Sequence, residues 1–231
     1  MISFVIPAHN EAAFIVACVR SIREACAQLG LACEVVVAND ASTDGTGALA
    51  RAEGARVVDV SLRHIAAVRN AGARLASGDR FMFVDADSRV DVPLIRAAVA
   101  ALDAGCVGGG AGVRFEEEVP WWANAVLWLV VHVMRWCKWA AGSFVFCTRP
   151  AFDAIGGFDE LFYAGEEIST SRKLKTQGRF VVLRETIVSS ARKIHGRGFW
   201  EMNRINLGLM LRGRRGLQKR EHLDFWYRDR R

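Results

Sequence analysis

Across roughly its first hundred residues the chain alternates short apolar runs with amphipathic stretches, and few folds satisfy that alternation. Strands separated by helical patterns form βαβ units, which lay strands side by side in parallel with helices against the sheet. Residues 2–6 read as the first strand. Phe14, Ile15, Cys18, Val19, Ile22, Cys26 and Leu29 then recur at helical spacing, with Gly30 as the stop. Residues 34–38 and 56–60 read as the next two strands, separated by a turn from Asn39 to Gly45 and a short helix ending near residue 54. A helix over residues 65–77 ends at Gly78. Asp91 is placed to cap a helix over residues 92–104, because its side chain can accept from the unpaired amides of the first turn.

The fourth apolar run ends abruptly in charge: Phe81-Met82-Phe83-Val84-Asp85-Ala86-Asp87-Ser88. As a buried strand it delivers Asp85 and Asp87 to its carboxyl end, where open α/β sheets bind ligands. Two carboxylates close together are costly to desolvate unless a cation neutralises them. Hard oxygen ligands at this spacing suit Mg²⁺ or Mn²⁺, which in turn suit a diphosphate. The plain alternative is that the two Asp side chains cap the helix that follows.

Beyond Cys106 the alternation breaks down. Residues 107–112 hold four glycines, and residues 113–115 read as a strand. Residues 121–139 are strongly apolar and rich in Trp, yet Glu116, Glu117 and Glu118 precede them and His132, Arg135 and Lys138 interrupt them. The uncharged run is shorter than the ~20 residues a spanning helix needs, so a half-buried or interfacial helix is expected.

A hydrophobic fraction of 52% with 24% charged residues excludes a disordered chain. The N-terminus has no basic n-region and enters a strand at once, so no secretory signal is expected. The six cysteines show no metal-binding spacing and read as small buried residues in a reducing compartment. Nearly all of the net charge of +6 lies in residues 212–231, where eight basic residues face three acidic ones. Phe225, Trp226 and Tyr227 interleave with these charges, so the tail suits either solvent or an anionic membrane surface. No nucleic-acid partner is expected.

Three further short elements fall at loops where a nucleotide site would need them. Pro7-Ala8-His9-Asn10-Glu11 follows the first strand as a turn and not as a glycine-rich phosphate loop, which argues against a dinucleotide fold. Asn39-Asp40-Ala41-Ser42-Thr43-Asp44-Gly45-Thr46 follows the second strand. Asp40 is placed to accept from a base or ribose there, while Ser42 and Asp44 read as caps for the next helix. In Ala67-Val68-Arg69-Asn70-Ala71-Gly72, Arg69 and Asn70 taken alone read as surface helix residues.

In this order the elements resemble the family 2 glycosyltransferases of GT-A fold. The resemblance covers nearly the whole chain and continues through Ile155-Gly156-Gly157-Phe158-Asp159-Glu160 and Gly165-Glu166-Glu167. It implies a single α/β domain with a Rossmann-like, mostly parallel central sheet flanked by helices. Residues 1–115 would bind the nucleotide sugar, residues 116–211 the acceptor, and residues 212–231 would form the basic tail. It further implies metal-assisted, inverting transfer from a nucleotide-diphosphate sugar to an acceptor hydroxyl. Pro7, Ala8, Asn10, Glu11, Asp40, Arg69, Asp85 and Ala86 would line the donor site. Asp87 would hold Mg²⁺ or Mn²⁺, with Asp85 beside it and His195, in a basic glycine-containing loop, completing the set.

The family's general base is usually an Asp in a Glu-Asp pair; here that position reads Glu167. A carboxylate suits the task of taking a proton from the attacking hydroxyl. The reading without chemistry is that Glu166 and Glu167 only favour a helix N-terminus. Gly165, Glu166, Trp121 and Trp122 would border the acceptor. The Gln-x-x-Arg-Trp signature of processive members is not found around Arg204-Ile205-Asn206, which disfavours polymer synthesis.

Three alternatives stay open on sequence alone. The acceptor could be a polyprenyl phosphate, already anionic. Asp85-x-Asp87-x superficially fits a HAD-type phosphatase nucleophile, although that motif belongs after a first strand. The Trp-rich segment suits either a lipid-linked acceptor on a membrane or a homodimer interface. Cytoplasmic placement, peripheral on the inner face of the membrane, is the expected location.

Overall fold

The computed structural model describes residues 1–116, 121–140, 143–163 and 165–190. In the helix over Trp121–Cys137 the side chains of Trp121, residues 123–127, and residues 129 and 130 also lie outside the description. The elements in chain order are β1 (Ile2–Ala8), α1 (Ile15–Leu29), β2 (Cys33–Asp40), α2 (Thr46–Ala52), β3 (Arg56–Val60), α3 (Ile65–Leu75), β4 (Arg80–Val84) and β5 (Ser88–Arg89). There follow α4 (Val92–Asp103), β6 (Gly108–Phe115), α5 (Trp121–Cys137), β7 (Phe144–Thr148), α6 (Arg149–Ala154), α7 (Glu166–Lys175) and β8 (Phe180–Ser189).

Among the described residues one sheet runs through all eight strands in the order β3-β2-β1-β4-β7-β6-β8-β5. The expected parallel block is β3-β2-β1-β4. Antiparallel pairs β4·β7, β6·β7 and β5·β8 make the rest mixed, with β6·β8 parallel. Strands β7 and β8 are further apolar runs, Phe144-Val145-Phe146-Cys147 and Phe180-Val181-Val182-Leu183, whereas β5 is two residues long and forms only by pairing with the end of β8.

Strand β1 is buried along its whole length, and its alternation sorts the core. Ile2, Phe4, Ile6 and Ala8 point to the layer formed with α1 and α4, whereas Val5 points to the other, beneath α3. That second layer contains Phe81, Phe83, Phe152 and Phe158, in edge-to-face and stacked contacts with centroids 4.7–6.0 Å apart. Such ring pairs add about 0.5–1.5 kcal/mol each beyond their burial. Pro7 is tolerated in this central strand because β4 pairs only as far as Val5, so no second ladder meets the missing N–H.

Two expectations need correction. The glycine-rich stretch belongs to the strand: β6 begins at Gly108, not near Val113. A Cβ on Gly109 would lie 2.4 Å from the Phe146 ring and 2.5 Å from the Val181 carbonyl, so the close stacking at this point requires glycine. Helix α3 stops at Leu75, earlier than the pattern suggests. Ser77 leaves the helical path because its amide and hydroxyl both donate to Glu34 Oε1. Asp91 does cap α4, accepting from Leu94 N at 3.0 Å.

Candidate active site

The parallel strands end on one edge, so β1, β2 and β4 deliver three loops to a common cleft. It is lined by Pro7, Ala8, His9, Glu11, Asp40, Ile65, Val68, Asp85, Ala86 and Asp87. The first two loops are zipped together. Asn10 N donates to Ser42 Oγ at 3.0 Å, Glu11 N to Thr46 Oγ1 at 2.9 Å, and Ala12 N to Asp44 Oδ2 at 2.9 Å. Asn10 Oδ1 accepts from Thr43 N at 2.8 Å. Ser42 thus binds the neighbouring loop and does not cap α2, whose first residue follows Gly45 without a side-chain cap. Asp44 also accepts from Thr46 N, and these contacts hold its pKa below the ordinary value against the opposing effect of burial.

Asp40 is buried, and its carboxylate accepts from Leu62 N at 2.7 Å and from Arg63 N at 3.0 Å. Asp40 thus lines the cleft and at the same time pins the β3–α3 loop against it. His9, buried beside it, donates through Nδ1 to the Asp40 carbonyl.

Arg69 is not a surface residue; it is 2% exposed. Helix α3 lies close to the sheet because Gly72 faces Val5, where a Cβ would fall 2.5 Å from Val5 Cγ1. From there the guanidinium donates through Nη2 to Asp85 Oδ1 at 2.9 Å. Through Nη1 it reaches Glu166 Oε1 at 2.7 Å and Glu167 Oε1 at 2.9 Å. Phe158 lies beneath it, 5.1 Å from ring centroid to Arg69 Cζ. Burial disfavours the Arg69 charge, but Glu167, Asp85 and Glu166 outweigh that and raise its pKa. Asn70, also buried, donates to the Phe158 carbonyl at 3.0 Å and to Glu160 at 2.8 Å. It accepts from Phe158 N and so secures the loop leading to α7.

Glu166 and Glu167 open α7 behind Gly165. Glu166 is 3% exposed, so its carboxylate faces Arg69 and cannot border an acceptor. Burial raises its pKa, and the Glu167 charge raises it further. Glu167 is slightly more open. Trp122 is half-buried on α5, Trp121 has no described side chain, and His195 with the tail at 212–231 lies outside the described residues.

The carboxylates of the cleft make a negative focus. The Cys18 thiol behind them, in contact with the Asp85 carbonyl, is pushed up by burial and then by Asp87, Asp85 and Glu11. This donor set fits a hard divalent cation, for Mg²⁺ is typically held by one or two carboxylates completed by substrate phosphates and water. Among the described residues no cluster of three or more His, Cys, Asp or Glu side chains could hold a metal by itself.

A mixed α/β sheet with a carboxylate-lined cleft at the ends of its parallel strands defines the GT-A class of domain. The sequence profile of Glycosyl transferase family 2 matches residues 3–152, and the chain belongs to that family. The match includes Asp85-Ala86-Asp87, which removes the ground for a phosphatase reading.

A curated relative, undecaprenyl-phosphate 4-deoxy-4-formamido-L-arabinose transferase of Aeromonas hydrophila, is 34% identical over 116 residues, covering 45% of this chain and 35% of that protein. The succinoglycan biosynthesis protein ExoO of Rhizobium meliloti is 36% identical over 111 residues, covering 45% of this chain and 30% of that protein. The matches thus take in about a third of each relative's length. Among solved structures, the mannosyltransferase PcManGT of Pyrobaculum calidifontis, in complex with GDP-Man and Mn²⁺, superposes with a TM-score of 0.69 at 23% identity. That superposition covers 88% of this chain and 60% of the other. The S. aureus TarS fragment 1–349 superposes at 0.64 with 16% identity, covering 83% of this chain and 61% of that fragment.

Proposed function

We propose that the chain is an inverting, non-processive glycosyltransferase that moves a sugar from a nucleotide-diphosphate donor to an acceptor hydroxyl. One observation carries this reading: Arg69 joins Asp85, at the end of β4, to Glu167, at the start of α7. A donor-side carboxylate and a proton-accepting carboxylate are held on one rigid guanidinium, although 82 positions separate them in sequence (Asp85 to Glu167).

Glu167 takes the proton from the acceptor hydroxyl as its oxygen attacks the anomeric carbon. The new glycosidic bond forms on the face opposite the bond to the diphosphate, which breaks and leaves with its electron pair. Asp85 and Asp87 would hold Mg²⁺ or Mn²⁺, which supplies positive charge to the leaving diphosphate when bound. The P. calidifontis neighbour, solved with GDP-Man and Mn²⁺, supports a divalent metal and a nucleotide-sugar donor. Pro7, Ala8, Ile65 and Val68 supply the apolar wall for the nucleoside, and Asp40 shapes that wall through the Leu62–Arg63 backbone. Residues up to about 115 serve the donor and those after it the acceptor, with the cytoplasmic face of the membrane as the site of action.

A second reading, transfer to a polyprenyl phosphate, is favoured by the undecaprenyl-phosphate transferase among the relatives. Such an acceptor is already anionic and needs no base. Glu167→Gln separates the two. For a hydroxyl acceptor, donor binding should persist while transfer falls by roughly 10²–10⁴-fold. Unimpaired transfer would point to the phosphate acceptor in its place.

A further inference from the structure

Helix α5 carries an aromatic stripe on its outer side. Trp128 is 62% exposed, Trp136 is 87% exposed, and His132 lies between them, its ring 4.0 Å from that of Trp128. Residues four apart share a helix face, so these three side chains form one continuous strip. Val133, 44% exposed, widens it, whereas Val131, off the strip, lies against Gly112 of β6. Soluble proteins seldom leave two Trp side chains bare on adjacent turns unless something covers them.

The aromatic strip, with a cation at its carboxyl end, favours one partner. From Trp121 to Trp139 the sequence holds no Asp or Glu, while Arg135 and Lys138 lie at the carboxyl end. A second copy packed through this helix is the alternative occupant, since in an antiparallel pair Arg135 and Lys138 of one copy would approach the Glu116–Glu118 end of the other. A bilayer with anionic headgroups suits the strip: indole rings settle at the headgroup boundary, and exposed Lys138 is drawn to the lipid charge, whereas Arg135 turns back to donate to the Arg184 carbonyl. Among the described residues no helix is long and apolar enough to cross a membrane, which leaves an in-plane arrangement.

The end of α5 is also bolted to the helix that bears Glu167. Lys175 Nζ donates to the Cys137 carbonyl, and Arg172 lies over the Trp139 ring at 4.9 Å. Ala140 N donates to Ser171 Oγ at 2.9 Å, and that hydroxyl donates to the Glu167 carbonyl at 2.7 Å. An orientation imposed on α5 is therefore passed directly to the start of α7.

We infer that the Trp128–His132–Trp136 face of α5 is a docking surface for an anionic lipid bilayer and holds the Glu167 end of the molecule toward the headgroups. The test uses the full chain with sedimented vesicles of phosphatidylcholine, with and without phosphatidylglycerol, at low and at moderate salt. Binding is expected to require phosphatidylglycerol and to weaken with salt. The double variant Trp128→Ser/Trp136→Ser should lose at least roughly tenfold in vesicle affinity with an unchanged melting temperature, since both side chains are exposed. Lys138→Glu should weaken binding to the phosphatidylglycerol vesicles by roughly thirtyfold, for the two charge units of a reversal. Wild-type protein that stays in the supernatant at low salt, or a double variant that binds as well as wild type, would overturn the inference. So would a wild-type dimer, seen by analytical ultracentrifugation, that becomes monomeric in the double variant without any vesicle binding. Vesicle binding is read without donor, metal or turnover, so it stands or fails separately from transferase activity.

Discussion

Glu166 and Glu167 place their Oε1 atoms 2.7 and 2.9 Å from one and the same nitrogen, Arg69 Nη1. With Asp85 on Nη2, three carboxylates surround a single buried cation. If all were ionised the cluster would be strongly negative in a poorly solvated place, so a proton is retained most readily on the most buried member, Glu166. Among the described residues its second oxygen, Oε2, has no hydrogen-bond partner, which also suits a neutral carboxyl better than a charged one.

Arg69 holds this cluster together, and its forked geometry matters as much as its charge. Arg69→Met should destabilise the fold by about 3–5 kcal/mol, because it strands buried carboxylates. Arg69→Lys should recover part of that stability but not transfer, since one ammonium cannot serve Asp85 and the Glu pair in the same geometry. Urea denaturation and a donor-transfer assay check the two halves.

Glu166→Gln mimics the protonated acid. A carboxyl with raised pKa binds its proton more tightly when folded, so it lowers stability as pH climbs from the usual Glu range through its folded value. Wild-type melting temperature should therefore decline over that rise more steeply than that of the variant. Transfer should stay within about tenfold of wild type, because the amide oxygen can still accept from Arg69. Parallel pH–stability curves would show that Glu166 is ionised in the native state.

Asp87→Ala tests the metal side. Asp87 is at a strand end and not in the core, so the variant should melt close to wild type. Calorimetry should show its affinity for UDP or GDP no longer enhanced by Mn²⁺. Undiminished enhancement would move the metal to other ligands.

Glu34 is a separate, purely structural matter. Its carboxylate accepts from Ser3 Oγ, Ser77 Oγ and Arg56, and ties β2 to the turn after α3. Burial raises its pKa, but these bonds outweigh burial and lower it from 4.5 to about 2. The contribution of Glu34 is thus present above pH 4.5 and lost as pH falls toward 2. Glu34→Ala should cost about 2–3 kcal/mol at neutral pH, with the difference from wild type shrinking in acid. An acid titration of denaturation midpoints provides the check.

The four parallel strands β1 to β4, though not their order, and the carboxylates Asp85 and Asp87 after β4 were legible because they follow from local patterning and from where strand ends must lie. The order of short motifs from Pro7 to Glu167 was equally a property of the chain alone. Burial was not legible. Arg69 and Asn70 look like solvent-facing helix residues, and only the approach of α3 to β1 at Gly72 turns them inward. Gly108 to Gly112 look like a loop until the Phe146 ring and the β8 backbone are seen against them.

What the sequence determined by itself is the set of groups available for chemistry and the strand ends that present them, since periodicity and turn residues act over a few positions. Tertiary structure decided which of those groups are free to act. It engaged Asp40 with the Leu62 and Arg63 amides, buried Glu166, and joined Asp85 to Glu167 through Arg69. Those outcomes depend on desolvation and on partners up to 98 residues away, which no local pattern encodes.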